Sequence, residues 1–174
     1  MTLLRLALVA LAAAILVQAG LAAEAETPSR TRTVPCAEII DRTAFPYVGG
    51  PQYRHRLVLG QFPVPAARLP QPEPTGERAW PFFGKSGMVV RADGRPTSVT
   101  VPRAWRDRVA IVWGNGGNGV FTSIRFAGCP GGEAVGNAYA GGFLVRSRPL
   151  CVPLIFRIGD RTAVVRVGRG RRCS

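Results

Sequence analysis

The sequence predicts an all-β protein: an antiparallel β-sandwich of about eight short strands, with a small β-barrel as the alternative. Three observations carry this. Short stretches alternate apolar and polar residues with a period of two. Turn-forming residues such as Asp93-Gly94 and Gly159-Asp160 fall between them. No stretch after the N-terminus keeps the long apolar period of a helix. Gly 21 and Pro 15 among 174 residues suit a loop-rich chain, and 47% hydrophobic residues are enough to fold it. The length is that of one domain.

The N-terminus stands apart. Arg5 precedes an apolar run from Leu6 to Val17, which ends at Gln18 and is followed by Ala19, Gly20, Ala22, Ala23 and Ala25. These are the three regions of a secretory signal peptide, expected over 1–25 with cleavage after Ala25 or, less favourably, after Ala22. As a helix the run rises about 18 Å, short of a hydrocarbon core of about 30 Å, which argues against the alternative of a retained anchor. No cysteine follows it, so no lipid anchor is expected. No other segment approaches a membrane span. The expected location is secreted or extracytoplasmic, in the cell envelope. Residues 26–35 hold two prolines and no apolar run and read as a disordered leader, with a single folded domain over 36–174.

Along that domain, Ala37 to Arg42 suits either a short helical turn or a strand start. Arg56 to Leu59 begins a strand. Five prolines between Pro63 and Pro74 make an extended loop or edge that no helix survives. Gly87 to Ala92 and Arg95 to Val101 read as a hairpin about Asp93-Gly94, in which Met88 faces Val99 and Val89 faces Ser98. Pro102 to Arg108 is a short turn or helical crossing. Val109 to Trp113 is a strand with Trp113 on its apolar side, joined by Gly114 to Gly119 to a second strand, Val120 to Ala127. Phe143 to Arg146 supplies another. Val152 to Ile158 and Arg161 to Val167 form a hairpin about Gly159-Asp160, with Phe156 opposite Ala163, Leu154 opposite Val165 and Val152 opposite Val167.

Four cysteines in an exported small domain predict two disulfides. Of the three pairings, Cys129–Cys151 and Cys36–Cys173 are favoured. The first closes a Gly-rich excursion between two strands, and the second ties the first ordered residues to the last. With no C-x-x-C and one histidine in the chain, no metal site is expected, and no other cofactor.

The familiar nucleotide motifs fail on physical grounds. Gly114 to Gly119 matches G-x-G-x-x-G in letters, but a strand follows where a helix N-terminus is needed. Gly84-Lys85-Ser86 resembles the end of a phosphate-binding loop, but Pro81 and two phenylalanines precede it. No nucleotide partner is expected. His55 is the single imidazole, flanked by Arg54 and Arg56. Glu38 with Asp41, or Glu73 with Glu77, could form paired carboxylates. Either arrangement would serve a hydrolase, which is the enzymatic alternative.

Two features point to binding. The net charge is +13, and Lys85 is the single lysine among 23 basic residues, so the charge is carried by arginine. Arg125, Arg146, Arg157 and Arg166 fall on strands, and Arg169, Arg171 and Arg172 follow. Arginine binds phosphates and carboxylates bidentately. Trp80 with Phe82 and Phe83, Trp105 among basic residues, and Tyr139 in a loop from Gly136 to Gly142 are candidate stacking platforms for sugar rings.

The stretch Val101-Pro102-Arg103-Ala104-Trp105-Arg106-Asp107-Arg108-Val109-Ala110, with Ala138 to Phe143 and Cys151-Val152-Pro153-Leu154 through to Cys173, resembles uncharacterised small secreted proteins of GC-rich actinobacteria. The resemblance spans most of the mature chain. It implies an origin and a compartment, and no activity. The expected function is a non-catalytic binding or structural domain, extracellular or in the envelope, for anionic or saccharide polymers. A cell-surface protein–protein interaction module is a further alternative. The sequence leaves the ligand and the oligomeric state open.

Overall fold

The computed structural model describes residues 30–46, 54–66, 69–115, 119–148, 150–169 and 173. The expected signal peptide lies outside the described residues, as do Arg171 and Arg172. Among these residues fourteen strands run in chain order. They are β1 (Thr31–Val34), β2 (Asp41–Ala44), β3 (His55–Val58), β4 (Phe62–Pro65), β5 (Glu73–Pro74), β6 (Phe82–Lys85) and β7 (Met88–Asp93), then β8 (Thr97–Thr100), β9 (Val109–Trp113), β10 (Ser123–Phe126), β11 (Pro130–Tyr139), β12 (Gly141–Val145), β13 (Leu150–Ile158) and β14 (Arg161–Arg169). Two single 3-10 turns, Cys36–Glu38 and Arg103–Trp105, complete the regular structure of the described residues.

The protein is all-β, and no sheet closes into a barrel among the described residues. A five-stranded sheet has the order β1-β10-β8-β13-β14 and a four-stranded sheet the order β5-β6-β12-β9. A three-stranded sheet, β2-β11-β7, and the β3-β4 pair complete the layers. All bury one contiguous core, from Val34 on β1 to Val167 on β14. The inner row of the five-stranded sheet shows the logic. Ile124, Val99 and Phe156 stand side by side on β10, β8 and β13, each wholly buried. A period of two then turns their chain neighbours outward.

The β13–β14 hairpin has the expected register, with Phe156 opposite Ala163 and Val152 opposite Val167. The hairpin expected about Asp93-Gly94 does not form. β7 pairs with β11 and β8 pairs with β10 and β13, so the turn carries the chain from one sheet to another. The reason lies in burial: Met88, Val89, Val90 and Ala92 are all buried, so β7 is covered on both faces, which a two-stranded ribbon cannot provide.

Two further expectations are corrected. The leader predicted over 26–35 is ordered by Thr31, where β1 adds to the edge of β10 in parallel; residues 26–29 lie outside the described residues. The disulfides are Cys36–Cys129 and Cys151–Cys173, with Cα separations of 5.6 and 5.7 Å, in place of Cys129–Cys151 and Cys36–Cys173. Topology decides this. Val34 is in register with Phe126, so Cys36 and Cys129 leave the sheet together just beyond it. β1 and β14 are the opposite edges of the five-stranded sheet, about 19 Å apart at the usual strand spacing. No disulfide reaches across such a gap.

Candidate anion-binding site

On the outer face of the five-stranded sheet, Arg125 of β10, Ser98 of β8 and Arg157 of β13 occupy one row. At the usual strand spacing the Cα atoms of the two arginines are about 10 Å apart, with Ser98 between them. Each strand places its residue by simple alternation. Ile124 and Phe126 flank Arg125, and Phe156 and Ile158 flank Arg157, all buried. Both arginines are exposed and Ser98 is half-buried. Neither arginine, nor the Ser98 hydroxyl, has a hydrogen-bond or ion-pair partner among the described residues.

This row lines an open cleft of about 560 Å³ that also takes in Arg95, Thr97 and the turn at Gly159. The wall at Arg95 is braced. Its Nε and one terminal nitrogen donate to Asp93 Oδ2 at 2.8 and 2.6 Å. Asp93 Oδ1 accepts Gln61 Nε2 at 2.8 Å, and Gln61 is wholly buried. Partial burial pushes the Asp93 carboxyl up. Hydrogen bonds from Arg95 and Gln61, with the Arg95 charge, outweigh it and hold the group below its ordinary range. Gly94, at φ +81°, makes the turn, and Gly128 packs so closely that an added Cβ would collide with the Gly94 carbonyl. The turn is thus held between the buried Gln61 and the chain leading to Cys129.

A second basic patch lies where β6 and β9 begin and β12 ends, with Phe82, Val145 and Val109 side by side. Arg146 stacks over Trp80 at 5.2 Å, Arg148 over Phe82 at 4.6 Å and Arg108 over Trp105 at 4.3 Å. The Arg146 amide donates to the Arg108 carbonyl at 3.1 Å, which joins the stacks. Arg148 donates to the Pro72 carbonyl at 2.9 Å and Arg108 to that of Ala104 at 2.7 Å. A stacked guanidinium keeps its in-plane N–H groups for an anion while it covers the ring face a sugar would use.

Of the residues singled out from sequence, Arg125 and Arg157 meet in the cleft. Arg166 is exposed on the same outer face of the β13–β14 hairpin, opposite Pro153 and farther along. Trp80 and Arg146 meet in the second patch, and Trp105 is drawn there by Arg108. Tyr139 is a correction. It ends β11 opposite Met88, is 1% exposed, and packs on Phe126 at a centroid distance of 4.8 Å. The expected loop is a core strand, in which Gly136 and Asn137 are also buried. Burial, with the Glu38 charge, raises the Tyr139 hydroxyl's pKa.

Sequence reasoning missed Arg95 and Ser98, which only the sheet change after Asp93 brings to the cleft. The proposed carboxylates are differently engaged. Glu38 takes Arg32 at 2.6 and 2.7 Å, and Asp41 accepts the Arg42 amide. His55 is half-buried on β3 opposite Pro65. Among the described residues, no imidazole or carboxylate lines the cleft beside Ser98. No helix among the described residues is long and apolar enough to cross a membrane. No family model, curated protein or solved structure matches this chain.

Proposed function

We propose that the protein is an exported, non-catalytic binding domain of the envelope or extracellular space that holds an anionic polymer through arginine. One observation carries this reading: Arg125 and Arg157 flank Ser98 in an open cleft with no carboxylate partner among the described residues. Across a Cα spacing of about 10 Å, both long guanidiniums can turn to one anion lying between them. The net charge of +13 favours encounter with a polyanion. The arginines stacked on Trp80, Phe82 and Trp105 favour an anionic chain over a neutral glycan. Two disulfides suit an oxidising compartment.

The test is retention of the protein on immobilised polyanions, chitin and cellulose at low and high salt. Retention on polyanions that is lost at high salt is the expected result. Salt-resistant retention on a neutral glycan, or none on any polymer, overturns the reading.

A further inference from the structure

We infer that the Arg125–Ser98–Arg157 position is a phosphate site, seating a phosphate ester group over the Ser98 hydroxyl. This rests on the anionic-polymer reading and narrows it to one chemistry. The first argument is donor direction. Arg125 approaches from β10, Arg157 from β13, and the hydroxyl lies between them. A planar carboxylate is satisfied by one guanidinium edge, whereas a tetrahedral anion presents oxygens to all three donors.

The second argument is charge. Asp93 neutralises Arg95, so the cleft keeps the two charges of Arg125 and Arg157. A phosphate monoester carries about −1.5 to −2 at neutral pH and matches both, whereas a carboxylate, a sulfate ester or a phosphodiester within a chain carries about −1. The third is unused bonding capacity at the same place. Ser98, the outward residue of β8 in this row, has no partner among the described residues. Arg95 retains one terminal nitrogen beyond its two bonds to Asp93. At about 560 Å³ the cleft has room for a phosphate and the residue bearing it.

The experiment has two arms on the intact protein. Calorimetric titration at fixed ionic strength compares glycerol 1-phosphate and inorganic phosphate with a sulfate monoester, methyl sulfate, and with acetate. Retention compares immobilised poly(glycerol phosphate) with polyuronate. Phosphate compounds are expected to bind at least about tenfold more tightly than methyl sulfate or acetate. Arg125→Ala and Arg157→Ala are each expected to weaken phosphate binding about tenfold or more, and Ser98→Ala less. Arg157→Lys keeps the charge and loses the fork, so it too should weaken binding. All four substitutions are on the exposed face, and unchanged thermal melts confirm that they fold. A preference for the monoester over the polymer would assign the site to terminal phosphates, as the charge count favours; the reverse would assign it to chain phosphates on donor geometry alone, and either supports a phosphate site. Equal binding of acetate or methyl sulfate, or wild-type affinity in both arginine variants, sinks it. Retention on polyuronate and phosphate polymer alike would remove the phosphate preference and leave the polymer reading standing. Retention on neither would remove both.

Discussion

Arg146 lies over the indole of Trp80, its guanidinium carbon 5.2 Å from the ring centroid. The ring is half-buried and its open face is already occupied. Removing the guanidinium should uncover it. Arg146→Ala is expected to increase acrylamide quenching of tryptophan fluorescence, and Arg108→Ala to do the same through Trp105. Trp113 contributes little, being 1% exposed. The stability cost of each change is about 0.5–1 kcal/mol, the scale of an exposed cation–π contact. Unchanged quenching in both variants would show that these arginines do not cover the rings in solution.

The cleft arginines should be visible in the salt dependence. If each neutralises one phosphate of a bound polymer, Arg125→Ala and Arg157→Ala each lower the slope of log affinity against log salt by about one. Ser98→Ala removes a hydroxyl and no charge, so it should lower affinity and leave the slope alone. Equal slopes in wild type and both arginine variants would place the polymer elsewhere.

Much of this site is written in local patterns. Ile124-Arg125-Phe126 and Phe156-Arg157-Ile158 each declare one outward arginine between inward apolar residues, and the Gly159-Asp160 turn fixes the register of its hairpin. What alternation does not carry is which strands become neighbours. A turn such as Asp93-Gly94 has the same letters whether it closes a hairpin or changes sheets. The two-sided burial of β7 decided that, and burial depends on β11. The strand β11 itself was hidden by its glycines, since Gly131, Gly132 and Gly136 remove the side chains whose alternation would reveal it. Cysteine pairing failed for the same reason. It depends on β1 joining β10, and a four-residue strand with one buried residue leaves little trace.

Asp93 links the core to the cleft, and two changes separate its roles. Asp93→Ala leaves the buried amide of Gln61 without its acceptor, at a cost of about 1–3 kcal/mol in chemical denaturation. Asp93→Asn keeps an acceptor and loses the charge. Because the folded carboxyl sits below its usual range, its stabilisation is fully present above about pH 3.9 and fades as pH falls through the folded value. Asp93→Asn should therefore be less stable than wild type at neutral pH, with the gap closing as pH falls through the lowered folded pKa. A gap that is independent of pH would mean that the charge contributes nothing.

The two disulfides should differ in effect. Cys36–Cys129 closes a separation of 93 residues and Cys151–Cys173 one of 22. In the chain-entropy model these stabilise by about 5 and about 3 kcal/mol. Replacing Cys36 and Cys129 together by serine should therefore lower the denaturation midpoint more than replacing Cys151 and Cys173. Peptide mapping of the unreduced protein gives the pairing directly. Recovery of a Cys36–Cys173 peptide would contradict the strand order β1-β10-β8-β13-β14.

Tyr139 distinguishes a core residue from a stacking platform. Its ring packs on Phe126, and its hydroxyl reaches the Cys129 sulfur at 3.8 Å, too long and too weak an acceptor to contribute much. Tyr139→Phe keeps the ring and should change stability by less than about 1 kcal/mol. Tyr139→Ala empties a site in the wholly enclosed part of the core and should cost about 3–5 kcal/mol, as aromatic truncations do. If the ring served a saccharide directly, Tyr139→Phe would keep stacking, while Tyr139→Ala would abolish binding at little cost in stability. The structure predicts the opposite: polymer retention at wild-type level in Tyr139→Phe, and in Tyr139→Ala a loss of retention only under conditions where the denaturation curve shows the protein unfolding.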